Sequence, residues 1–141
     1  MTDFLSFGQQ ILDSQPFSRL LNAQLNDFGE GFAEIVIPVE PQLLQQHGFV
    51  HGGVLSYAAD NALTFAGGSV LGPSVVTSEY KINYLKPAQG ERLVARAKVI
   101  GSGSRQAVCH CNVFVINDQT EVLCAVAQGT IVNTSKTQST A

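Results

Sequence analysis

Charge is what this chain has least of. Asp, Glu, Lys and Arg together make up 13% of its 141 residues, roughly half the share usual in a soluble domain. That is too little to coat a monomer, and it favours surface buried against further copies of the chain. Eight Lys and Arg against eleven Asp and Glu leave a net charge of −3, and the cations are scattered rather than lined up. Nucleic acid and anionic membranes are therefore poor partners. No apolar run approaches the ~20 residues of a membrane-spanning helix, and the start, MTDFLSFGQQ, has no basic segment leading into an apolar one. A soluble, cytoplasmic protein is expected. Neither GxxxxGK[ST] nor GxGxxG occurs, so ATP, NAD and flavin are not indicated and no cofactor is expected. Of the three cysteines, Cys109 and Cys111 flank His110 in an alternating run. This puts both thiols on one face, read as a core face, and no second ligand pair completes a zinc site.

What is present is apolar: 45% of the residues, enough for one globular domain with a true core. That domain is expected over residues 1–133, with a polar, loose tail over 134–141. Phe4, Leu5, Phe7, Ile11 and Leu12 fall at near-helical spacing. They predict a short helix over 3–13, capped by Thr2 or Asp3 and ended by Pro16. Alternation around Gly29 and Gly31 predicts a hairpin with strands at 20–28 and 31–39. HGG at 51–53 and the pair Gly67–Gly68 bracket one helix of about sixteen residues, apolar on every side and hence buried. Four strands in hairpin succession follow, within 75–88, 91–103, 104–118 and 121–133. The fold class is α+β, an antiparallel sheet wrapped around one buried helix.

Inside that helix stands Asp60, with no Lys or Arg anywhere between Arg19 and Lys81. Burying a carboxylate costs several kcal/mol unless a hydrogen bond or a function repays it. Gly52 and Gly53 open the same helix, where free N–H groups and the positive end of the helix dipole suit a carbonyl becoming an oxyanion. At 1.5 Å per residue the two features are roughly 12 Å apart along one axis. One carbonyl cannot touch both, so a reaction centre needs Asp60 of one protomer facing Gly52 of another.

The element order resembles the hot-dog fold over about residues 21–132. The strings HGGVLSYAAD at 51–60 and EYKINYLKPA at 79–88 resemble those of its PaaI-like acyl-CoA thioesterases. That resemblance implies a homodimer or dimer of dimers with shared sites, a coenzyme A thioester as substrate, and Asp60 as nucleophile or general base. It places Thr77 near the carboxylate. Where the family often has an Asn six residues before the His of this motif, this chain has Gln45, which leaves the choice between base and nucleophile open. His51 is expected to fix the loop or polarise it, with His47 a weaker candidate. Phe49, Tyr57 and Phe65 are expected to wall a medium-chain or aryl acyl pocket. Arg105, beside the turn at 101–104, is the expected contact for the nucleotide, with Arg92 and Lys86 behind it. Two other functions fit the same fold, a non-catalytic acyl-CoA-binding domain and an enoyl-thioester hydratase or dehydratase.

Overall fold

The computed structural model describes residues 3–135. The chain opens with helix α1, Phe4–Asp13, whose N-cap Asp3 accepts the Ser6 N–H. Pro16 does not end this helix. It occupies the first turn of a second, short helix, α2 (Pro16–Leu20), where its missing N–H costs nothing and its fixed φ suits helix entry. The hairpin is accordingly shorter than the alternation suggests: β1 is Gln24–Gly29 and β2 is Phe32–Pro38, because the segment around Leu20 is already helical.

Helix α3 runs Gly52–Leu71, 20 residues, past the glycine pair that was expected to end it. The stop is Gly72, at φ +109, whose N–H returns to the Gly68 carbonyl. Gly67 belongs inside the helix because a Cβ there would lie 2.6 Å from Ile131 Cβ. It is the point where α3 presses closest on the sheet. Val54, Leu55, Ala58, Ala59, Ala62, Leu63, Phe65 and Ala66 are all buried along α3, as an apolar circumference requires. Among the described residues, no helix is long and apolar enough to cross a membrane.

The remaining strands are β3 (Val75–Tyr84), β4 (Arg92–Ser102), β5 (Gln106–Asn117) and β6 (Thr120–Asn133). They do not form a simple succession of hairpins. All pairings are antiparallel, and the sheet order is β1-β2-β4-β5-β6-β3. Only β4, β5 and β6 meander, whereas β3 crosses to the far edge and pairs with β6. The six strands curl around α3 in the hot-dog arrangement. Cys109, Cys111 and Cys124 are fully buried free thiols on the core side. On the outer face Arg96 donates to Glu34 on β2 and Glu121 on β6 while lying over the Phe114 ring, which stitches four strands together. Of the expected tail, 136–141 lies outside the described residues, and Thr134 donates both N–H and hydroxyl to the Ser74 carbonyl.

Candidate active site

Asp60 and Thr77 come together as expected. Thr77 Oγ1 donates to Asp60 Oδ1 at 2.7 Å, and Thr64 Oγ1, one helical turn beyond Asp60, lies 2.8 Å from Thr77 Oγ1. The Thr64 hydroxyl also lies 2.8 Å from the Asp60 carbonyl; with the Thr77 proton on Asp60, the single Thr64 proton is shared between that carbonyl and Thr77 Oγ1 as acceptors. A bulge after Thr77 leaves Ser78 without a partner on β6, and bulges of this kind re-aim a side chain next to a site. Asp60 is half-buried in the single chain. Among the described residues, Oδ2 has no donor and no cation pairs with the carboxylate. One oxygen is thus held and the other is open.

At the start of α3, His51 is the N-cap, and its Nδ1 accepts the Gly53 N–H at 2.9 Å. Gly53 is therefore already engaged and presents no free amide to a substrate, contrary to its expected binding role. The Gly52 N–H has no acceptor among the described residues. Tyr84 closes over this end, its hydroxyl donating to the Gly52 carbonyl at 3.1 Å. Gly52, Gln45, Phe49, Tyr84 and Lys86 line one cleft of about 460 Å³. Gln45 keeps its place by accepting the His47 N–H on Oε1, and its Nε2 hydrogens have no acceptor among the described residues.

Other expected residues stand elsewhere. Tyr57 lines neither this cleft nor the apolar groove beside Thr64. Its hydroxyl is 2.5 Å from Ser18 Oγ and accepts from Asn61 Nδ2 at 2.9 Å, bracing α2 to α3, and burial pushes its phenol above the ordinary range. Phe65 does wall the groove, whereas Phe49 belongs to the Gly52 cleft. Arg105 sits in the β4–β5 turn, lining neither, and Arg92 pairs with Glu91. Lys86 is the cation that borders the Gly52 cleft. The polar cluster of Gln15, Ser18, Tyr57 and Asn61 was not foreseen, because its members meet across 43 and 46 residues of sequence. Thr64 did have a signal: four residues after Asp60, it lies one turn along the same face.

The family description "Thioesterase superfamily" matches residues 47–122. The acyl-coenzyme A thioesterase PaaI of Escherichia coli is 32% identical over 103 residues, covering 72% of this chain and 71% of that protein. The medium/long-chain acyl-CoA thioesterase YigI of E. coli is 25% identical over 118 residues, 72% of this chain and 76% of the relative. A crystal structure of a thioesterase family protein from Silicibacter pomeroyi superposes with a TM-score of 0.82 at 32% identity, covering 89% of this chain and 96% of that one.

Proposed function

Because the chain belongs to the thioesterase superfamily, we propose that it hydrolyses a medium-chain or aryl acyl-CoA thioester to the free acid and coenzyme A, in a site shared by two protomers. The observation that carries this reading is the Asp60 carboxylate, held on one oxygen by Thr77 and open on the other. As general base, Oδ2 takes a proton from water as the water oxygen bonds to the thioester carbon. As nucleophile, it bonds to that carbon itself and water then splits the anhydride. In both routes the carbonyl oxygen gains negative charge, which the Gly52 N–H of the facing protomer and its helix dipole stabilise. The C–S bond then breaks and the coenzyme A thiolate leaves. Gln45 donates from the rim, and Lys86 offers its charge to the phosphates of the nucleotide. The protein acts as a soluble, cytoplasmic homodimer or dimer of dimers, and the reaction takes water and no cofactor.

A hydratase would set His51 against Asp60 on the acyl carbons. Here the two residues start and continue one helix, and His51 Nδ1 is occupied by the Gly53 N–H. The test is thiol release from a panel of acyl-CoAs. Asp60→Asn should lower kcat by at least roughly a hundredfold, the scale of a general base, with the thermal midpoint little changed. Thr77→Val should lower it by about tenfold and Thr77→Ser should restore it. Hydrolysis that survives Asp60→Asn within a few-fold would overturn the assignment, and acyl-CoA binding without turnover in the wild type would favour a binding domain.

A further inference from the structure

We propose that the groove between α1 and α3 takes the acyl chain of the substrate, and that Gly68 in its wall sets the length of chain accepted. The proposal rests on the thioesterase reading for the identity of the ligand. The groove has a volume of about 420 Å³ and no charged residue lines it. It exists because α1 packs on β1 and not on α3: a Cβ at Gly8 would meet Leu25 and Phe28 within 2.6 Å. Across the gap α1 presents Phe4, Phe7 and Ile11 at the i, i+3, i+7 spacing of a single helical face, and α3 presents Phe65 and Gly68 at i, i+3, with its C-cap Gly72 closing that side.

One end of the groove reaches the candidate site. Thr64 lines it, and its hydroxyl touches Thr77, which holds Asp60. Polarity gathers at this same end. Asn61, 9% exposed, donates its amide hydrogens to Tyr57 and Gln15, and its Oδ1 has no partner among the described residues. From Thr64 to Leu71 the helix advances roughly 10 Å, and apart from Ser69 the groove beside this stretch is lined by apolar residues and glycine. An uncharged space that runs along α3 from Thr64, the neighbour of the Thr77–Asp60 pair, fits a linear chain better than a single ring. The charged nucleotide has Lys86 in the other cleft.

The two adjacent glycines differ in what they do. Gly67 is required by packing, since its Cβ would collide with Ile131. Gly68 is not: an added Cβ would have one neighbour within 4 Å, Val75 Cγ2 at 3.4 Å, and its φ is ordinary for a helix. A glycine inside a helix is less favourable than alanine. What its absent side chain leaves here is room in the groove.

The test uses S-alkyl-CoA thioethers, which bind but cannot be hydrolysed, titrated calorimetrically from ethyl to dodecyl. Wild-type affinity should rise by about threefold to fourfold per buried methylene until the groove is full. Gly68→Val and Gly68→Leu should weaken octyl and decyl thioethers by at least about tenfold and leave the ethyl thioether within about threefold, as expected if about two methylenes lose their place. Gly68→Ala, which the structure accommodates, should shorten the optimum by a smaller step and serves if the larger variants do not fold. Affinity independent of length in the wild type, variants that weaken every length equally, or a phenylalkyl thioether that binds more tightly than all linear ones would overturn the proposal. Length-dependent binding without hydrolysis of the matching thioesters would sink the hydrolase reading and leave the groove assignment standing. Hydrolysis whose length profile ignores Gly68 would do the reverse.

Discussion

A carboxylate on an otherwise apolar helix is tolerated only if its oxygens have partners, and at Asp60 one partner, Thr77, is the residue that the family resemblance implies. The missing cation around Asp60, the glycine-opened helix start and the position of Thr77 pointed to one chemistry, and the 2.7 Å hydrogen bond joins two of them. Gly53 was misread because its amide looks free in sequence, where the bond to the His51 ring two residues back is invisible. Tyr57 was misread for a related reason: a half-buried aromatic next to a site suggests a pocket wall, and only tertiary contact with Ser18 shows a brace. Cys109 and Cys111 stand on the core side as the alternation implies, and Cys124 joins them there. Burial pushes the Cys109 thiol up to about 11 and the Cys111 thiol up to about 12, from an ordinary value of 9.0, and raises Cys124 as well. Thiols with raised values stay protonated in the native protein after the unfolded chain has begun to ionise. Their stabilising contribution is complete below about pH 9 and is lost as pH climbs through 11 to 12. We expect the urea midpoint to fall between pH 9 and 11. At pH 8 Ellman's reagent should react with native protein far more slowly than with protein in denaturant, and three rapidly reacting thiols in the native state would contradict the buried placement.

At the scale of elements, periodicity located α1, α3 and every strand but missed the short helix α2, and the other errors lie at punctuation. Pro16 and Gly67 were read as stops because proline and glycine usually are. In the folded chain the first is a helix opener, and the second marks close approach to Ile131. Strand order was the larger miss. Nothing in the composition of β3 says that it bypasses β4 to pair with β6, and that crossover is what brings Thr77 to the flank of α3. The β5–β6 connection is a tighter case. Asp118 and Gln119 both adopt left-handed backbone, at φ 52 and φ 69, the geometry of a two-residue hairpin turn that prefers Asn-Gly. Gln119→Gly should relieve the side-chain clash at the second position and raise stability by up to about 1 kcal/mol, net of the extra freedom of the unfolded chain. Urea denaturation reads this directly, and a lowered midpoint would mean that the Gln119 side chain contributes more than its strained backbone costs.

For the molecule as a whole, α3 poses a question that one chain does not answer. Gly52 and Asp60 lie on the same rigid helix, roughly 12 Å apart along its axis; Gly52 lines one cleft, and Asp60 meets the other opening only through Thr77 and Thr64. A thioester carbonyl meets both only if a second helix, antiparallel across a two-fold axis, brings its Gly52 to this Asp60. Strand β3 is one of the two sheet edges and exposes Val76 and Tyr84, with Leu85 just beyond it, at 52–54% beside exposed Glu79 and Lys81, so an unpaired edge of mixed character stands beside the site a partner would complete. The consequence is complementation. Asp60→Asn and Gly52→Val chains should each be inactive, the first lacking the carboxylate and the second blocking approach to the free amide. Mixed under conditions of subunit exchange, they form heterodimers in which one of the two composite sites has an intact Asp60 and an intact Gly52. An equimolar mixture at full exchange holds half its dimers as heterodimers with one working site each, so activity should recover to about a quarter of wild type. Absence of recovery, with heterodimers verified by native mass spectrometry, would place the whole reaction within one subunit and require a different oxyanion donor for Asp60.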